Sequence, residues 1–218
     1  MSVSEFNTAK EKQDKVMLML TALWALAIAI GFFSMVDYQN SAAVVYQNPS
    51  EISERFNGAD NCNVLIMALH PHCSCSRASL SELHKLQSNV GDAVRVYVLV
   101  YVPDGQDKGW AEGISLAQLS RMNTEVIYDP GGKICLETGL NTSGETLLYN
   151  AQGSLLFSGG VTASRGHAGS NYGIEFLHDA ISRKQVERTE TPVFGCAIRS
   201  IDIEKEYAVE RGGCCNVE

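Results

Sequence analysis

Apolar positions along this chain fall into three rhythms, each of which predicts a different element. The first is an unbroken apolar run: residues 16–36 carry no charged side chain. At ~1.5 Å of rise per residue a helix of that length crosses a hydrocarbon core of about 30 Å. The second is the short, branched run. Asn63 to Leu69 (NVLIMAL) and the stretch 93–102 (AVRVYVLVYV) are dense in aliphatic residues, as strands covered on both faces are. The third is helical spacing, which sets Leu80, Leu83 and Leu86 on one face after the first strand, and Ile174, Leu177, Ala180 and Ile181 on one face of residues 171–182.

Shorter signals fill the space between. A short helix is expected at 115–122, a strand at 125–128, and a second short helix at 131–138 that stops at Gly139. Residues 145–150 and 154–158 then read as two strands joined by the tight turn Ala151-Gln152-Gly153. Alternating strands and helices followed by a hairpin and a closing helix predict an α/β domain: a three-layer sandwich around a central mixed sheet, preceded by one transmembrane helix.

The organisation follows from these elements. Residues 1–15 form an N-terminal tail, 16–36 the membrane anchor, 37–59 a linker, 60–186 the folded domain and 187–218 a Cys-containing tail. The linker is expected to hold a short helix, with Asn48 as cap, Pro49 at its first position and Glu51 close behind. Lys10, Lys12 and Lys15 precede the span, and the first basic residue after it is Arg55. The positive-inside rule therefore keeps the N-terminus cytoplasmic and puts the domain on the periplasmic, extracytoplasmic side of a single-pass protein. A cleavable signal ending near Ser41-Ala42-Ala43 is the rival reading, but the apolar run exceeds the roughly 7–15 residues of a signal core.

Charge narrows the partners. A formal net charge of −8 repels nucleic acid and anionic surfaces, so no nucleic acid is expected among them. The seven cysteines all follow the span, and in an oxidising compartment an odd number leaves at least one thiol unpaired.

The chemistry concentrates in His70-Pro71-His72-Cys73-Ser74-Cys75-Ser76-Arg77. Cys73 and Cys75 fall at or just before a helix N-terminus, where unpaired N–H groups and the helix dipole favour thiolate over thiol. His72 and Arg77 either stabilise that charge or are solvated loop residues. His70 is either the last residue of the strand or a metal ligand. Cys62 and Cys135 read as small core hydrophobes. Cys196, in a turn-like setting beyond the last helix, is open to three roles: a second exchange thiol, a partner for Cys73 or Cys75, or a structural staple. Cys214 and Cys215 either deliver electrons to the main site, catch a metal, or belong to a plain tail. Arg165 and His167, in the Gly-rich stretch 159–169, either face the site from the hairpin end, where such a loop can cradle an anion, or belong to a surface loop, the reading favoured because no phosphate-loop Lys-Ser/Thr follows.

Two passages carry a family resemblance. Ile127-Tyr128-Asp129-Pro130-Gly131-Gly132-Lys133-Ile134, Thr138-Gly139-Leu140 and the stretch 146–153 (TLLYNAQG) resemble, in that order, the second half of thiol-disulfide oxidoreductases related to thioredoxin. With the strand-turn-helix around Cys73, the resemblance covers residues 60–183, and the whole stretch also resembles membrane-anchored proteins labelled RedB. It implies a thioredoxin-like fold with a nucleophile and a resolving thiol at this turn, in either of two registers. With Cys75 at the resolving place, His72 stands where the nucleophile would be. Cys73, earlier in the loop and expected to be more exposed, is favoured as the attacking thiol, resolved by Cys75 or by a remote thiol such as Cys196. Two departures stand against it. Family members place two residues between their cysteines, whereas Ser74 alone separates Cys73 from Cys75, so that Ser76 takes the resolving position if Cys73 is the nucleophile. The family's proline opposite the cysteines, which shapes the substrate groove and blocks stray metal, is replaced by the stretch 141–144, with Ser143 at its place.

The expected activity is thiol-disulfide exchange on exported proteins, with no cofactor required and a membrane or periplasmic redox partner to reset the site. The alternative is a copper or zinc delivery module using His70, His72, Cys73 and Cys75, since soft thiolates flanked by imidazoles suit those ions. A redox-inert adaptor is a third possibility.

Overall fold

A computed structural model describes residues 3–44, 48–56, 62–182 and 187–199. The chain separates into two compact units, Met1–Ser41 and Ala42–Glu218. The first is one helix, α1 (Val3–Asn40), whose segment Lys10–Asn40 is long and apolar enough to cross a membrane. Leu18, Trp24 and Phe33 on it are exposed. The helix extends past the apolar run at both ends because neither flank carries a proline, and Lys15 supports the first flank through an ion pair to Glu11 one turn away at 2.7 Å.

The second unit is built on a six-stranded sheet. Its strands are β1 (Asn63–Leu69), β2 (Val94–Val102), β3 (Glu125–Pro130), β4 (Glu145–Tyr149), β5 (Leu155–Gly160) and β6 (Thr189–Glu190), in the order β3-β2-β1-β4-β5-β6. β1, β2 and β3 run parallel, β4 is antiparallel to β1 and to β5, and β6 is parallel to β5. Helices α2 (Ser76–Val90), α3 (Ile114–Leu119), α4 (Lys133–Thr138) and α5 (Tyr172–Ser182) complete it. Alternate residues of β1 divide the core in two. Leu65, Met67 and Leu69 meet Leu80, Leu83 and Leu86 of α2 and Leu177 of α5, while Val64, Ile66 and Ala68 meet Ile134 and Cys135 of α4 and Phe56. Burial on both sides is why β1 and β2 read as continuous apolar runs rather than alternating ones. The expected mixed sheet with helices, and an N-terminal helix long and apolar enough to span a membrane, is what forms.

Two stretches differ from expectation. No helix starts at Asn48. Instead Ser50 accepts from the Leu155 N–H and Ile52 donates to the Gly153 carbonyl, both at 2.9 Å, and a 3-10 turn at Glu54–Phe56 seats Phe56 in the core. The hairpin turn offers backbone groups that need partners, and pairing with them competes successfully with a capped turn of helix. Residues 187–199, expected in the tail, also pack on the domain. β6 joins the sheet, and Val193 and Ile198 are buried. Glycine makes this possible, because a Cβ at Gly160 would meet the Val193 Cα at 3.0 Å and press on the Pro192 carbonyl. Residues 191–199 thus form a strap that returns over the end of the sheet.

Candidate active site

β1 ends at Leu69, and the chain turns through His70 to Cys75 before α2 begins at Ser76. The turn is held by backbone bonds from Cys73 to His70 and from Ser76 to Cys73, each 3.1 Å. Ser76 and Ser143 tie it to the facing loop. Ser76 Oγ donates to the His70 carbonyl at 2.7 Å and lies 2.8 Å from Ser143 Oγ, which in turn accepts from the His70 N–H at 2.9 Å. Both serines are fully buried, so their network is shielded from competing water.

The strap brings a third thiol to this turn. Cys196 Sγ lies 2.8 Å from Cys73 Sγ in a hydrogen bond, and the sulfurs of Cys73, Cys75 and Cys196 all lie within 4.8 Å of one another. The strap is clamped by an antiparallel bridge between Thr142 and Ala197, in which the Ser143 N–H donates to the Cys196 carbonyl and the Ile198 N–H to the Asn141 carbonyl, each at 2.8 Å. A proline at position 143 has no N–H to give. The Ser143 N–H thus supplies one of the two backbone bonds of this clamp, a bond a proline here could not make. Arg165, read from sequence as a surface-loop residue, donates through Nη1 to the Gly195 carbonyl beside Cys196.

The three thiols are electrostatically unlike. Burial pushes Cys73 up, but hydrogen bonds from the Cys196 side chain and backbone and from the Cys75 and Ser76 backbone outweigh it, and its pKa falls below the usual thiol value. Cys75 moves up, through burial first and then the charge and hydrogen bond of Cys73. Cys196 is pushed up to about 12 by burial, its hydrogen bond to Cys73 and the charges of the other two thiols, with Arg165 opposing. Cys73 is thus the most readily ionised thiol of the three, and a hydrogen bond from Cys196 favours its charged form.

The remaining candidates fall elsewhere. His72 is exposed, with its ring 4.3 Å from that of Trp110, and Arg77 is exposed on the first turn of α2. Neither is among the groups that shift the thiols; hydrogen-bond donors from the strap and from the start of α2 take the role expected of them. His70 is half-buried, stacked on Tyr101 at 5.4 Å, and burial followed by the His72 charge lowers its pKa. Neither imidazole belongs to the thiol cluster. Cys135 is a fully buried core thiol, Cys62 is partly buried at the start of β1, and His167 is exposed. Cys214 and Cys215 lie outside the described residues.

Glu145, a buried carboxylate that sequence reading missed, supports the facing loop. Its Oε2 accepts from the N–H groups of Asn141 at 2.8 Å and Thr142 at 3.0 Å. An acidic residue opening an otherwise apolar strand, Glu145-Thr146-Leu147-Leu148-Tyr149, was the available signal.

Gly195 sets how closely the strap approaches. A Cβ there would run into the Ser143 carbonyl oxygen and meet Thr142 Cγ2 at 3.0 Å. Overpacking of this kind costs about 1–3 kcal/mol, and about 1.4 kcal/mol is tenfold in an equilibrium. Gly195→Ala is therefore expected to accelerate iodoacetamide labelling of Cys73, now only 5% exposed, by roughly tenfold or more. Labelling at the native rate would mean that the strap does not shield the thiol.

The parallel β1-β2-β3 unit, the antiparallel β4-β5 extension and the cysteine turn leading into α2 define the class: this chain has the thioredoxin-like fold. No protein-family model matches the chain, and no curated protein matches its sequence. Among solved structures it is similar to an uncharacterized conserved protein from Geobacillus kaustophilus, with a TM-score of 0.53 and 15% identity over 74% of this chain and 94% of that one. A hypothetical protein from Sinorhizobium meliloti 1021 aligns with a TM-score of 0.54 and 16% identity, covering 75% and 95% respectively. A secreted Mycobacterium tuberculosis disulfide oxidoreductase homologous to E. coli DsbE aligns with a TM-score of 0.39 and 13% identity over 56% and 81%.

Proposed function

We propose that the domain exchanges disulfides with exported proteins, with Cys73 as nucleophile and Cys196 as the thiol that resolves the mixed disulfide. The observation that carries this reading is the 2.8 Å approach of two thiols of opposite character, Cys73 lowered and Cys196 raised. The Cys73 thiolate attacks one sulfur of a substrate disulfide and forms a Cys73–substrate bond, while the departing sulfur leaves with the bonding pair and takes a proton. That step consumes the Cys73 charge. Two of the causes that hold the Cys196 proton, its hydrogen bond to Cys73 and the Cys73 charge, then vanish, and Cys196 becomes more acidic when it is needed.

Cys196, on losing its proton, attacks Cys73 sulfur and expels the second substrate sulfur as a thiol. Cys73 and Cys196 are oxidised to a disulfide, and the substrate disulfide is reduced to two thiols by the same two electrons. Cys75 stands beside this pair instead of completing it: closing Cys73 onto Cys75 across Ser74 alone makes a small, strained ring. The apolar α1 anchors the chain in a membrane with the domain on the periplasmic side, where a membrane or periplasmic dithiol resets it.

Trapping tests the assignment of roles. In Cys196→Ser the mixed disulfide between Cys73 and a disulfide-bonded substrate such as insulin is expected to accumulate on non-reducing gels. In Cys75→Ser it is expected to turn over. Accumulation in Cys75→Ser and turnover in Cys196→Ser would transfer the resolving role to Cys75.

A further inference from the structure

We propose that Cys73, Cys75 and Cys196 also form a three-thiolate site for a soft monovalent cation, Cu(I). The proposal shares its thiols with the exchange reading but needs all three, where exchange needs two. Its basis is the convergence of three sulfurs from two separate segments, the turn before α2 and the strap, to within 4.8 Å of one another. With metal–sulfur bonds of about 2.3 Å, a trigonal ion separates its sulfurs by roughly 4 Å. All three sulfurs lie within 4.8 Å of one another, and the Cys73–Cys196 pair at 2.8 Å would open by roughly 1 Å to admit the ion.

The donor set selects the ion. Thiolates are soft ligands that favour Cu(I), whereas structural Zn(II) takes four ligands in a tetrahedron. Among the described residues no fourth His, Cys, Asp or Glu joins the cluster, which fits a three-coordinate ion. Three thiolates around one positive ion leave two excess negative charges, and Arg165, whose charge already acts on Cys75 and Cys196, is the cation placed to offset them. Cys73 and Cys75 are 5% and 7% exposed, so the ion would sit shielded from water.

Capture changes no oxidation state: Cu(I) stays Cu(I) and the thiols release their protons. Binding and protonation compete for the same sulfurs, so affinity is expected to weaken as pH falls. Metal capture and disulfide formation exclude each other, because the Cys73–Cys196 bond removes two of the three ligands.

The test uses the full chain in detergent micelles, reduced and kept free of oxygen, with Cys214→Ser and Cys215→Ser so that the tail supplies no sulfur. Cu(I) is titrated in competition with bicinchoninate, and coordination is read by X-ray absorption at the copper edge. One ion per chain with three sulfur neighbours is expected. Affinity should fall at least 100-fold in Cys75→Ser and in Cys196→Ser, and stay unchanged in Cys62→Ser. Two-sulfur or nitrogen-containing coordination, or native affinity in Cys75→Ser, would overturn the site. The same Cys75→Ser protein separates the two readings. If it closes the Cys73–Cys196 disulfide under mild oxidant yet binds Cu(I) as the parent does, the metal site falls and exchange stands. If Cys73 and Cys196 never link while the parent holds Cu(I) through three sulfurs, exchange falls and the metal site stands.

Discussion

Cys73→Ser is expected to reduce disulfide exchange by at least about 1000-fold, to the uncatalysed background, because a hydroxyl at neutral pH supplies no anionic nucleophile. The loss should be one of chemistry and not of folding, since serine keeps the backbone bonds of the turn and differs by one atom. Its signature is a pH profile. In the native protein the rate should rise with pH through a transition below the ordinary thiol range, where Cys73 loses its proton to the stabilisation given by Cys196 and the start of α2. Insulin reduction followed from about pH 5 to about pH 10 in both proteins measures this, a window that brackets the ordinary thiol range. A profile centred at or above the usual thiol value would place the attacking sulfur elsewhere, and residual activity in Cys73→Ser would do the same.

Glu145→Gln is expected to abolish a pH dependence of stability worth about 3 kcal/mol. Burial raises the Glu145 carboxyl to about 7, against two backbone N–H donors that pull it down, and its Oε1 has no hydrogen-bond partner. The folded pKa lies above the unfolded value of 4.5. Between these values the native state therefore holds a proton that the unfolded chain has released, and stability falls as pH rises. The contribution is fully present below 4.5 and lost by the time pH passes about 7. The substituted amide would keep an acceptor oxygen for the Asn141 and Thr142 N–H groups and carry no titration. Urea unfolding of the two proteins at about pH 4.5 and about pH 8 isolates the group. Curves that stay parallel across that interval would show that the carboxyl is not held protonated.

Local sequence signals carried most of the fold because they report local physics. The aliphatic density of β1 and β2, the leucine face of α2 and the Ala151-Gln152-Gly153 turn each fix an element through neighbours in sequence. The position of Cys73 and Cys75 before α2 was legible for the same reason. What was not legible depends on distant pairing. Nothing around Cys196 says that its carbonyl will meet the Ser143 N–H, nor that Gly160 will leave room for Val193. The departure at Ser143 was visible as a missing proline, but its consequence, a donor for the strap, needs the partner to be seen. His72 and Arg77 were attractive as neighbours in sequence and are exposed, while Arg165, in the loop after β5, reaches the strap beside Cys196.

The strap also ties the redox state of the site to the stability of the whole domain. Cys73 and Cys196 are 123 positions apart, so a bond between them closes a loop spanning nearly the entire folded unit. Loops of that size remove about 4–5 kcal/mol of chain entropy from the unfolded state, whereas closure across Ser74 alone removes only about 1.5 kcal/mol. By thermodynamic reciprocity, whatever favours the native packing of the strap makes this dithiol a stronger reductant, and unfolding erases the advantage. The reducing power of the site is thus a property of the tertiary structure as a whole, set as much by the grip of Thr142 on Ala197 as by the sulfur atoms themselves.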